Sequence, residues 1–285
     1  MPDAVAGPSG AGASRRAGVL GHPITHSLSP ALHGAAYKAL GLAWTYDAYD
    51  VTEESLPDFV AALDGTWGGL SLTMPLKVAA MPLVEFIEPM AKLVGAINTV
   101  LVQPVGTRLQ LVGANTDVHG VVAALAEGGV SAATEGVVIG GGATATSALA
   151  ALGRLGVTRP VVVVRNRARA GGLMRAATKM GVEPRFVALE DAPHYLADAE
   201  AVVSTVPAEA GAALVPALGP VRPQAVLLDA VYSPLVTPLG AAWRAAGGTF
   251  VPGTRMLLHQ AGEQVRLMTG MAAPLDAMAK VLPDA

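Results

Sequence analysis

Two ionisable side chains occupy positions where a purely structural chain would not need them. Lys77 ends the segment SLTMPLK (residues 71–77), which is typical of a strand end followed by an apolar helix start. Asp117 ends the segment NTD (residues 115–117), directly after a second strand-like run. An ammonium and a carboxylate are groups that general acid–base catalysis uses. An isolated lysine is nevertheless most often a surface residue, and Asp117 alone fits an ordinary helix cap, so both interpretations stay open here.

Two hydroxyls are spaced two residues apart in the segment HSLSP, at Ser27 and Ser29. Ser29 precedes Pro30, an order that is typical of a helix N-cap followed by proline at the first helical position. We therefore expect a helix from Pro30 to Leu40 with Ser29 as its cap. That structural role does not account for Ser27.

A glycine-rich turn follows the β-branched run that begins at Val137 and precedes an alanine-rich helical pattern. Gly140, Gly142 and Ala145 fit the pattern G-x-G-x-x-A. The first glycine permits a tight turn, the second lets the backbone approach a pyrophosphate, and the small third residue lets helix and strand pack closely. The helix N-terminus offers unpaired N–H groups to phosphates. This context favours a dinucleotide site over a plain glycine turn.

The end of the next strand-like run, VVVV, indicates which dinucleotide. Proteins that bind NAD commonly place an acidic residue about 20 residues past the glycines, where it holds the ribose 2′-hydroxyl. Here the run ends in Arg165-Asn166-Arg167, with Arg169 just after, and no carboxylate is available. Guanidinium groups pair with a 2′-phosphate. The sequence therefore favours NADP, the alternative being a solvated basic loop.

The surrounding pattern is typical of an α/β protein. Apolar residues make up 52% of the 285 residues and charged residues 14%, which favours a packed globular chain. Short Val/Leu/Ala-rich runs alternate with longer helical patterns, as in a largely parallel sheet. The central strand candidates are VVIGGG, VVVVRN, FVALE, AVVSTVP and VLLDAVY. Two further runs, INTVLVQ and RLQLVGAN, flank residues 104–107 (PVGT), which predict a hairpin turn.

Composition and charge exclude several other classes. A net charge of −3 gives no overall basic field to attract nucleic acid. The lack of cysteine excludes thiolate chemistry, and the histidines are scattered, so we expect no metal. The longest uncharged run, between Glu135 and Arg154, is interrupted by glycines, so we expect no membrane span. Residues 1–16 lack the apolar stretch of a secretory signal and are expected to be a disordered tail.

Taken together, the motifs resemble those of the shikimate dehydrogenase family, from about Gly18 to the C-terminus. Their number, order and specificity indicate that the match is not a coincidence. The matching segments are GHPITHSLSPALH (21–33), SLTMPLK (71–77), GAINTV (95–100), GANTDVHG (113–120), the glycine turn, the RNR segment, LLDAVYSPLVTPL (227–239) and PGTRMLLHQAGEQ (252–264).

The resemblance implies an architecture and a set of site residues. An N-terminal α/β substrate domain (residues 17–117, completed by 253–285) and a Rossmann-type NADP-binding domain (118–252) would flank a cleft. The implied catalytic pair is Lys77, beside the reacting oxygen, and Asp117 opposite it. The implied substrate contacts are Ser27 and Ser29 at the carboxylate, Tyr232 near them, and Thr73, Asn98, Asp117 and Gln260 at the ring hydroxyls. The implied cofactor contacts are Gly140, Gly141, Gly142, Ala143, Arg165, Asn166, Arg167, Thr205, Val206, Gly253 and Met256.

Two positions depart from the pattern that the family often shows. Ala143 stands where the glycine turn commonly has another glycine, and we expect the turn to survive because Gly140 and Gly142 remain. Ala168 stands where the family has a threonine after the RNR arginine, so a hydroxyl is missing near the expected 2′-phosphate site. Arg165 could compensate with its charge or by stacking on the adenine.

The resemblance implies a cytoplasmic enzyme of aromatic amino acid biosynthesis that reversibly reduces 3-dehydroshikimate to shikimate with NADPH. Its partner would be this small-molecule substrate, with no nucleic acid and no membrane, and a homodimer is left open. Quinate or aminoshikimate dehydrogenases are alternatives. The serine pair and the basic RNR segment argue against quinate and NAD, whereas aminoshikimate stays open. A non-catalytic NADP-binding regulator is a further alternative, against which Lys77 and Asp117 both argue.

Overall fold

The computed structural model describes residues 14–283, without the side chains of residues 168 and 169. Residues 1–13 of the expected tail lie outside the described part. The prediction that the tail extends to residue 16 is wrong, because Arg15 and Arg16 already belong to the first strand. Arg15 donates from its guanidinium to the carbonyl of Trp67, at 2.5 Å, so this end of the chain is fixed to the neighbouring strand.

The described residues form twelve strands and twelve α-helices, joined by short 3-10 helices and loops. The strands are β1 (Arg15–Gly21), β2 (Trp44–Asp50), β3 (Trp67–Leu72), β4 (Phe86–Ile87), β5 (Thr99–Val105), β6 (Arg108–Ala114), β7 (Gly136–Ile139), β8 (Val161–Val163), β9 (Arg185–Val187), β10 (Ala201–Ser204), β11 (Val226–Asp229) and β12 (Thr249–Pro252). The helices are α1 (Ser29–Ala39), α2 (Leu56–Ala61), α3 (Leu76–Ala79), α4 (Pro89–Val94), α5 (Asp117–Glu127), α6 (Ala143–Arg154), α7 (Gly171–Met180), α8 (Ala192–Asp198), α9 (Ala208–Ala212), α10 (Pro238–Ala245), α11 (Gly253–Thr269) and α12 (Leu275–Ala279).

The first six strands form a mixed sheet with the order β2-β1-β3-β5-β6-β4. β1 pairs in parallel with β2 and β3, whereas β5 runs antiparallel to both β3 and β6. The β5–β6 hairpin is confirmed, but its turn is shorter than predicted, because Val105 and Arg108 already pair with each other. Gly106 has a φ of +61°, as a type II′ turn requires at its first central position.

The last six strands form a parallel sheet with the order β9-β8-β7-β10-β11-β12. The chain reverses direction across the sheet between β7 and β10, as in the doubly wound dinucleotide-binding fold. β7, β8, β10 and β11 are buried along their whole length. This explains why they read as continuous apolar runs, since helices cover both faces of such a sheet. The predicted α/β fold class, with two sheets and a cleft between them, is confirmed.

The C-terminal helices return to the first sheet. Leu258, Val265 and Met268 of α11 lie in one apolar cluster with Ala17 and Val19 of β1. Helix α5, by contrast, packs its apolar side into the core of the parallel sheet. α5 and α11 also contact each other extensively. Two adjoining helices therefore link the sheets and form one wall of the cleft.

The sequence predicts neither a membrane span nor a metal site, and the described residues bear on both. Between residues 14 and 283, no helix is long and apolar enough to cross a lipid bilayer. In the same part of the chain, no three His, Asp or Glu side chains are grouped so that they could hold a metal ion.

One histidine is fully buried beneath the cleft. The ring of His33 stacks on Tyr46 with 3.9 Å between ring centroids, and its Nδ1 lies 3.0 Å from the carbonyl oxygen of Ser29. Burial lowers the pKa of His33 to about 4, because the interior disfavours the charged ring. The folded protein therefore holds this histidine neutral.

The low pKa of His33 predicts a pH-dependent stability. The unfolded chain takes up the proton near pH 6.5, so the contribution is complete above that pH and is lost as the pH falls toward about 4. At pH 5 we expect the wild type to lose about 2 kcal/mol of unfolding free energy relative to pH 7.5 through this group. Urea unfolding of the wild type and of His33→Gln at both pH values measures the difference. Equal losses in the two proteins would contradict the assignment.

Candidate active site

A cavity of about 320 Å³ lies between the two sheets and collects most of the side chains implied by the motifs. Its walls come from the carboxyl ends of β1 and β3, the N-terminal turns of α5 and α11, and the loop after β11. The predicted residues that line it are Ser27, Ser29, Thr73, Lys77, Asn98, Asp117, Thr205, Tyr232, Gly253, Met256 and Gln260.

Lys77 and Asp117 form an ion pair inside this cavity. Lys77 Nζ donates to Asp117 Oδ2 at 2.6 Å, and the side chains are only 14% and 4% exposed. Lys77 lies in the short helix α3, whereas Asp117 opens α5, where the positive end of the helix dipole favours a carboxylate. Asp117 is not an isolated cap, because its carboxylate is directed at the lysine. The pair is a polarised proton donor and acceptor that faces a cavity.

Asn98 satisfies the other oxygen of this carboxylate. Its Nδ2 donates to Asp117 Oδ1 at 2.8 Å and to Thr116 Oγ1 at 2.8 Å, and lies 3.2 Å from Gln260 Oε1. The backbone N–H of Thr116 donates to Asn98 Oδ1 at 2.8 Å, which fixes the orientation of the amide. A buried ion pair is tolerated only when such additional bonds satisfy its atoms. Asn98, itself fixed by Thr116, therefore holds the Asp117 carboxylate in place.

The serine pair lies at another part of the cavity wall. Ser27 Oγ accepts the backbone N–H of Ser29 at 3.3 Å, and Ser29 is the first residue of α1. The prediction that Ser29 caps the helix is wrong, because Ser29 is already the first helical residue and Leu28 occupies the N-cap position. Both hydroxyls line the cavity. Tyr232 lines it too, and burial raises the pKa of its phenol above the ordinary value.

A second cavity, of about 670 Å³, adjoins the glycine turn. It is lined by Gly140, Gly141 and Gly142 and by Val206, together with Arg165 and Asn166 at the end of β8. Its walls therefore combine exposed glycine backbone with a positive charge, which suits a phosphorylated dinucleotide.

Two of the expected cofactor residues line neither of these two cavities. Ala143 lines a neighbouring groove on the other side of the glycine turn. The guanidinium of Arg167 lies over the Phe186 ring, 5.5 Å from its centroid.

Gly140 has a conformation that only glycine adopts readily. Its φ is +128°, and a Cβ at this position would collide with the Thr205 hydroxyl. Thr205 is held there by a bond from its Oγ1 to the Ile139 carbonyl at 3.0 Å. The turn and the end of β10 therefore fit together only when position 140 has no side chain.

This fit predicts the effect of Gly140→Ala. The backbone must shift to relieve the collision, and such strain typically costs about 1–3 kcal/mol. We expect the KM for NADPH to rise about tenfold or more, with the far-UV circular dichroism spectrum unchanged. Gly129→Ala, at a positive-φ glycine with open space around it, is the matched control for strain alone. If both variants keep the wild-type KM, the glycine turn does not form the cofactor site.

Sequence reasoning assigned no role to a set of buried polar residues that lie in and behind the cavity wall. These are Tyr46, Ser71, Thr99, Thr116 and Gln264, which bond to one another or to Asn98. Gln264 could have been found, because it lies four residues after Gln260 on the same side of α11. Tyr46 and Thr99 carry no such signal, since each is an ordinary strand residue in the sequence.

Comparison with known proteins adds a second line of evidence to this geometry. A family model described as the shikimate dehydrogenase substrate binding domain matches residues 19–100. A second, described as the shikimate 5′-dehydrogenase C-terminal domain, matches residues 253–282. A relative from Citrifermentans bemidjiense, named shikimate dehydrogenase (NADP(+)), is 37% identical over 95% of both chains.

Solved structures agree. Shikimate dehydrogenase from Mycobacterium tuberculosis is 43% identical, with a TM-score of 0.83 over 94% of this chain and 98% of that one. The Thermus thermophilus enzyme, in complex with NADP(H) and shikimate, is 32% identical, with a TM-score of 0.78 over 94% and 98%. Quinate dehydrogenase from Corynebacterium glutamicum, in complex with NAD, is 32% identical, with a TM-score of 0.83 over 94% and 98%. The resemblance drawn from the motifs is thus confirmed, and the chain belongs to the shikimate dehydrogenase family.

Proposed function

We propose that this chain catalyses the reversible, NADPH-dependent reduction of 3-dehydroshikimate to shikimate. The observation that carries the proposal is the Lys77–Asp117 pair, closed at 2.6 Å and facing a cavity next to the glycine turn. The names of the relatives support both substrate and cofactor. As a member of this family, the protein would work in the cytoplasm in aromatic amino acid biosynthesis, with a homodimer left open.

The two sheets would belong to two domains with different functions, substrate binding and cofactor binding. We assign residues 17–117, together with 253–285, to substrate binding, and residues 118–252 to NADP binding; β1 extends the first of these to Arg15. Support comes from the apolar cores, since α11 packs on the first sheet and α5 on the second. The cavity between them then receives residues from both parts.

The substrate would be held at its two polar ends. Ser27 and Ser29 would donate to its carboxylate, with Tyr232 near them. Lys77 and Asp117 line the same cavity and would hold the oxygens of the ring, with further contacts from Thr73, Asn98 and Gln260. A ligand held at both ends has one orientation, and orientation is a large part of catalysis.

The residues present suit NADP. Gly140, Gly141 and Gly142 leave the room that a pyrophosphate needs, with Val206 and Thr205 at the end of β10. Arg165 and Asn166 line the same cavity, and Arg167 is the third polar residue of that segment. Gly253 and Met256 line the substrate cavity from α11 and would adjoin the nicotinamide. When bound, NADPH supplies the hydride that reduces the ketone.

The chain itself supplies the proton and the position. Lys77 would hydrogen-bond the reacting ketone oxygen and transfer or relay a proton to it as negative charge develops there. Asp117 would hold the adjacent hydroxyl and keep the ammonium in place. Lys77 Nζ and Asp117 Oδ2 lie 2.6 Å apart, so a proton can pass between the two groups.

Quinate is the alternative substrate that a specific observation supports. The support is the similarity to the quinate dehydrogenase from Corynebacterium glutamicum, whose structure contains NAD and not NADP. The positive charge of Arg165 at the second cavity instead favours a 2′-phosphate, and therefore NADP. Aminoshikimate would make similar ring contacts and is the other alternative. A non-catalytic regulator would have no need for the Lys77–Asp117 pair.

Absorbance at 340 nm tests the proposal with the purified chain. Shikimate and quinate are each supplied with NADP and with NAD, and aminoshikimate with NADP. We expect fast turnover only for shikimate with NADP. Faster turnover of quinate would replace the proposed substrate, and faster turnover with NAD would mean that the arginine segment does not select NADP. Turnover of aminoshikimate alone would replace the substrate, and no turnover of any pair would favour the regulator.

A further inference from the structure

Gln264 lies at the centre of a hydrogen-bond network that the proposed reaction does not yet use. It is 1% exposed and extends from α11 toward β3 and β5. Its Nε2 donates to the Asn98 carbonyl at 3.1 Å and to Thr99 Oγ1 at 3.0 Å, and its Oε1 accepts from Ser71 Oγ at 2.8 Å. A buried amide that uses both of its ends in this way fixes the groups around it.

The chemistry of the amide sets the direction of every bond in the network. Gln264 Oε1 can only accept, so Ser71 must donate its proton to it and must itself accept from the Tyr46 hydroxyl at 2.6 Å. Gln264 Nε2 can only donate, so Thr99 must turn its own proton to Asn98 Oδ1 at 2.9 Å. The orientation of one glutamine therefore determines the orientation of the hydroxyls on both sides.

The network ends on the proposed catalytic pair. Because Thr99 O–H and the Thr116 N–H both donate to Asn98 Oδ1, the Asn98 amide turns its Nδ2 toward Asp117. In the flipped amide, an oxygen would face the carboxylate, and two acceptors would repel each other. Without Gln264, Thr99 is free to turn its proton away from Asn98. One of the bonds that prevent this flip is then lost, and those from the Thr116 N–H and the Thr116 hydroxyl remain, the latter at 3.2 Å.

We propose that Gln264 is a positioning residue for the reaction, acting through Thr99 and Asn98 to keep a donor directed at Asp117. The inference rests on the proposed function and adds a residue to it. Gln264 also lines the cavity wall beside Ser71, so the network lies next to the substrate without being exposed to solvent. Gln264 would therefore fix the orientation of the Asn98 amide, in addition to any contribution to folding.

The test uses the full-length protein with shikimate and NADP. Gln264→Met keeps the side-chain length and removes all three bonds, and Thr99→Val removes the next link with little change in shape. We expect each variant to lower kcat about 10- to 100-fold, with a KM for shikimate within about threefold of wild type. The pH profile of kcat/KM should also differ from that of the wild type, since the donor that faces Asp117 is no longer held in one orientation. The double variant should resemble either single variant, because both break one chain.

Thr269→Val is the matched control for stability. Thr269 lies at the end of the same helix, and the substitution removes its bonds to the Val265 carbonyl and from the Met271 N–H, neither of which belongs to the network. We expect it to lower the melting temperature and to leave kcat and the pH profile unchanged. The proposal is overturned if Gln264→Met behaves like this control, or if its effect adds fully to that of Thr99→Val. If Gln264→Met does not fold, Thr99→Val alone tests the proposal. A wild-type kcat and an unchanged pH profile in Thr99→Val would also overturn it. Wild-type turnover is measured first, so a failure of the proposed function is seen in the wild type itself.

Discussion

Lys77→Ala is expected to lower kcat about 10²–10⁴-fold and to change the KM for shikimate far less. The reason is that Lys77 Nζ donates directly to Asp117 Oδ2 at 2.6 Å, and general acid–base groups typically contribute this factor. Steady-state kinetics at 340 nm, with shikimate and NADP, give both constants. A loss confined to kcat means that the bond from Lys77 strengthens in the transition state.

The stability of this variant must be followed as well. Removing the lysine leaves Asp117 buried with its charge uncompensated, which destabilises a folded protein. Assays should therefore run well below the melting temperature of the variant. Lys38→Ala, at an exposed position in the last turn of α1, is the control that changes the same residue type. Near-native turnover of Lys77→Ala would remove Lys77 from the mechanism.

The second large effect concerns the choice of cofactor. Replacing both Arg165 and Arg167 with alanine is expected to raise the KM for NADP about 10- to 100-fold, since a charge-assisted hydrogen bond is worth about 1.5–3 kcal/mol. The weaker activity with NAD should change little, because NAD has no 2′-phosphate. Comparing kcat/KM for the two cofactors measures the switch directly.

The parallel sheet offers a matched control for the same loss of charge. Arg159 and Arg185 lie at the opposite ends of β8 and β9 from the glycine turn. Arg159→Ala/Arg185→Ala removes two positive charges there, and we expect it to keep the wild-type preference for NADP. If the two double variants change the preference equally, the effect is one of net charge. The assignment of a 2′-phosphate site at Arg165 would then be wrong.

Much of the fold follows from local pattern. The strands β7, β8, β10 and β11 were predicted because a parallel sheet covered on both faces requires continuous apolar runs. β4 and β12 were not predicted. A two-residue strand such as β4 (Phe86–Ile87) is too short to show an alternating pattern, and β12 has only four residues. The helical period of α11 was visible, but which sheet it packs on was not, because that depends on contacts with β1 that lie far away in the chain.

The candidate site divides in the same way. Lys77, Asp117 and the glycine turn stand out because their residue types are unusual in their local context, and the motifs carried them further. The roles proposed for Ser71 and Thr99 could not be predicted, since a hydroxyl on or beside a buried strand has no chemistry of its own. For Gln264 the sequence offers one signal, its spacing of four residues from Gln260 on α11. Their importance comes from bonds between residues as far apart as Ser71 and Gln264, which only the folded chain creates.

The most direct test follows the hydrogen itself. Shikimate carrying deuterium at the C3 carbon is incubated with NADP and the wild-type protein, and the reduced cofactor is analysed by mass spectrometry. The account predicts that one deuterium moves from C3 to the nicotinamide, with formation of 3-dehydroshikimate. Reduced cofactor without deuterium, or substrate that keeps its label with no cofactor reduced, would contradict the claim that this chain transfers hydride between shikimate and NADP.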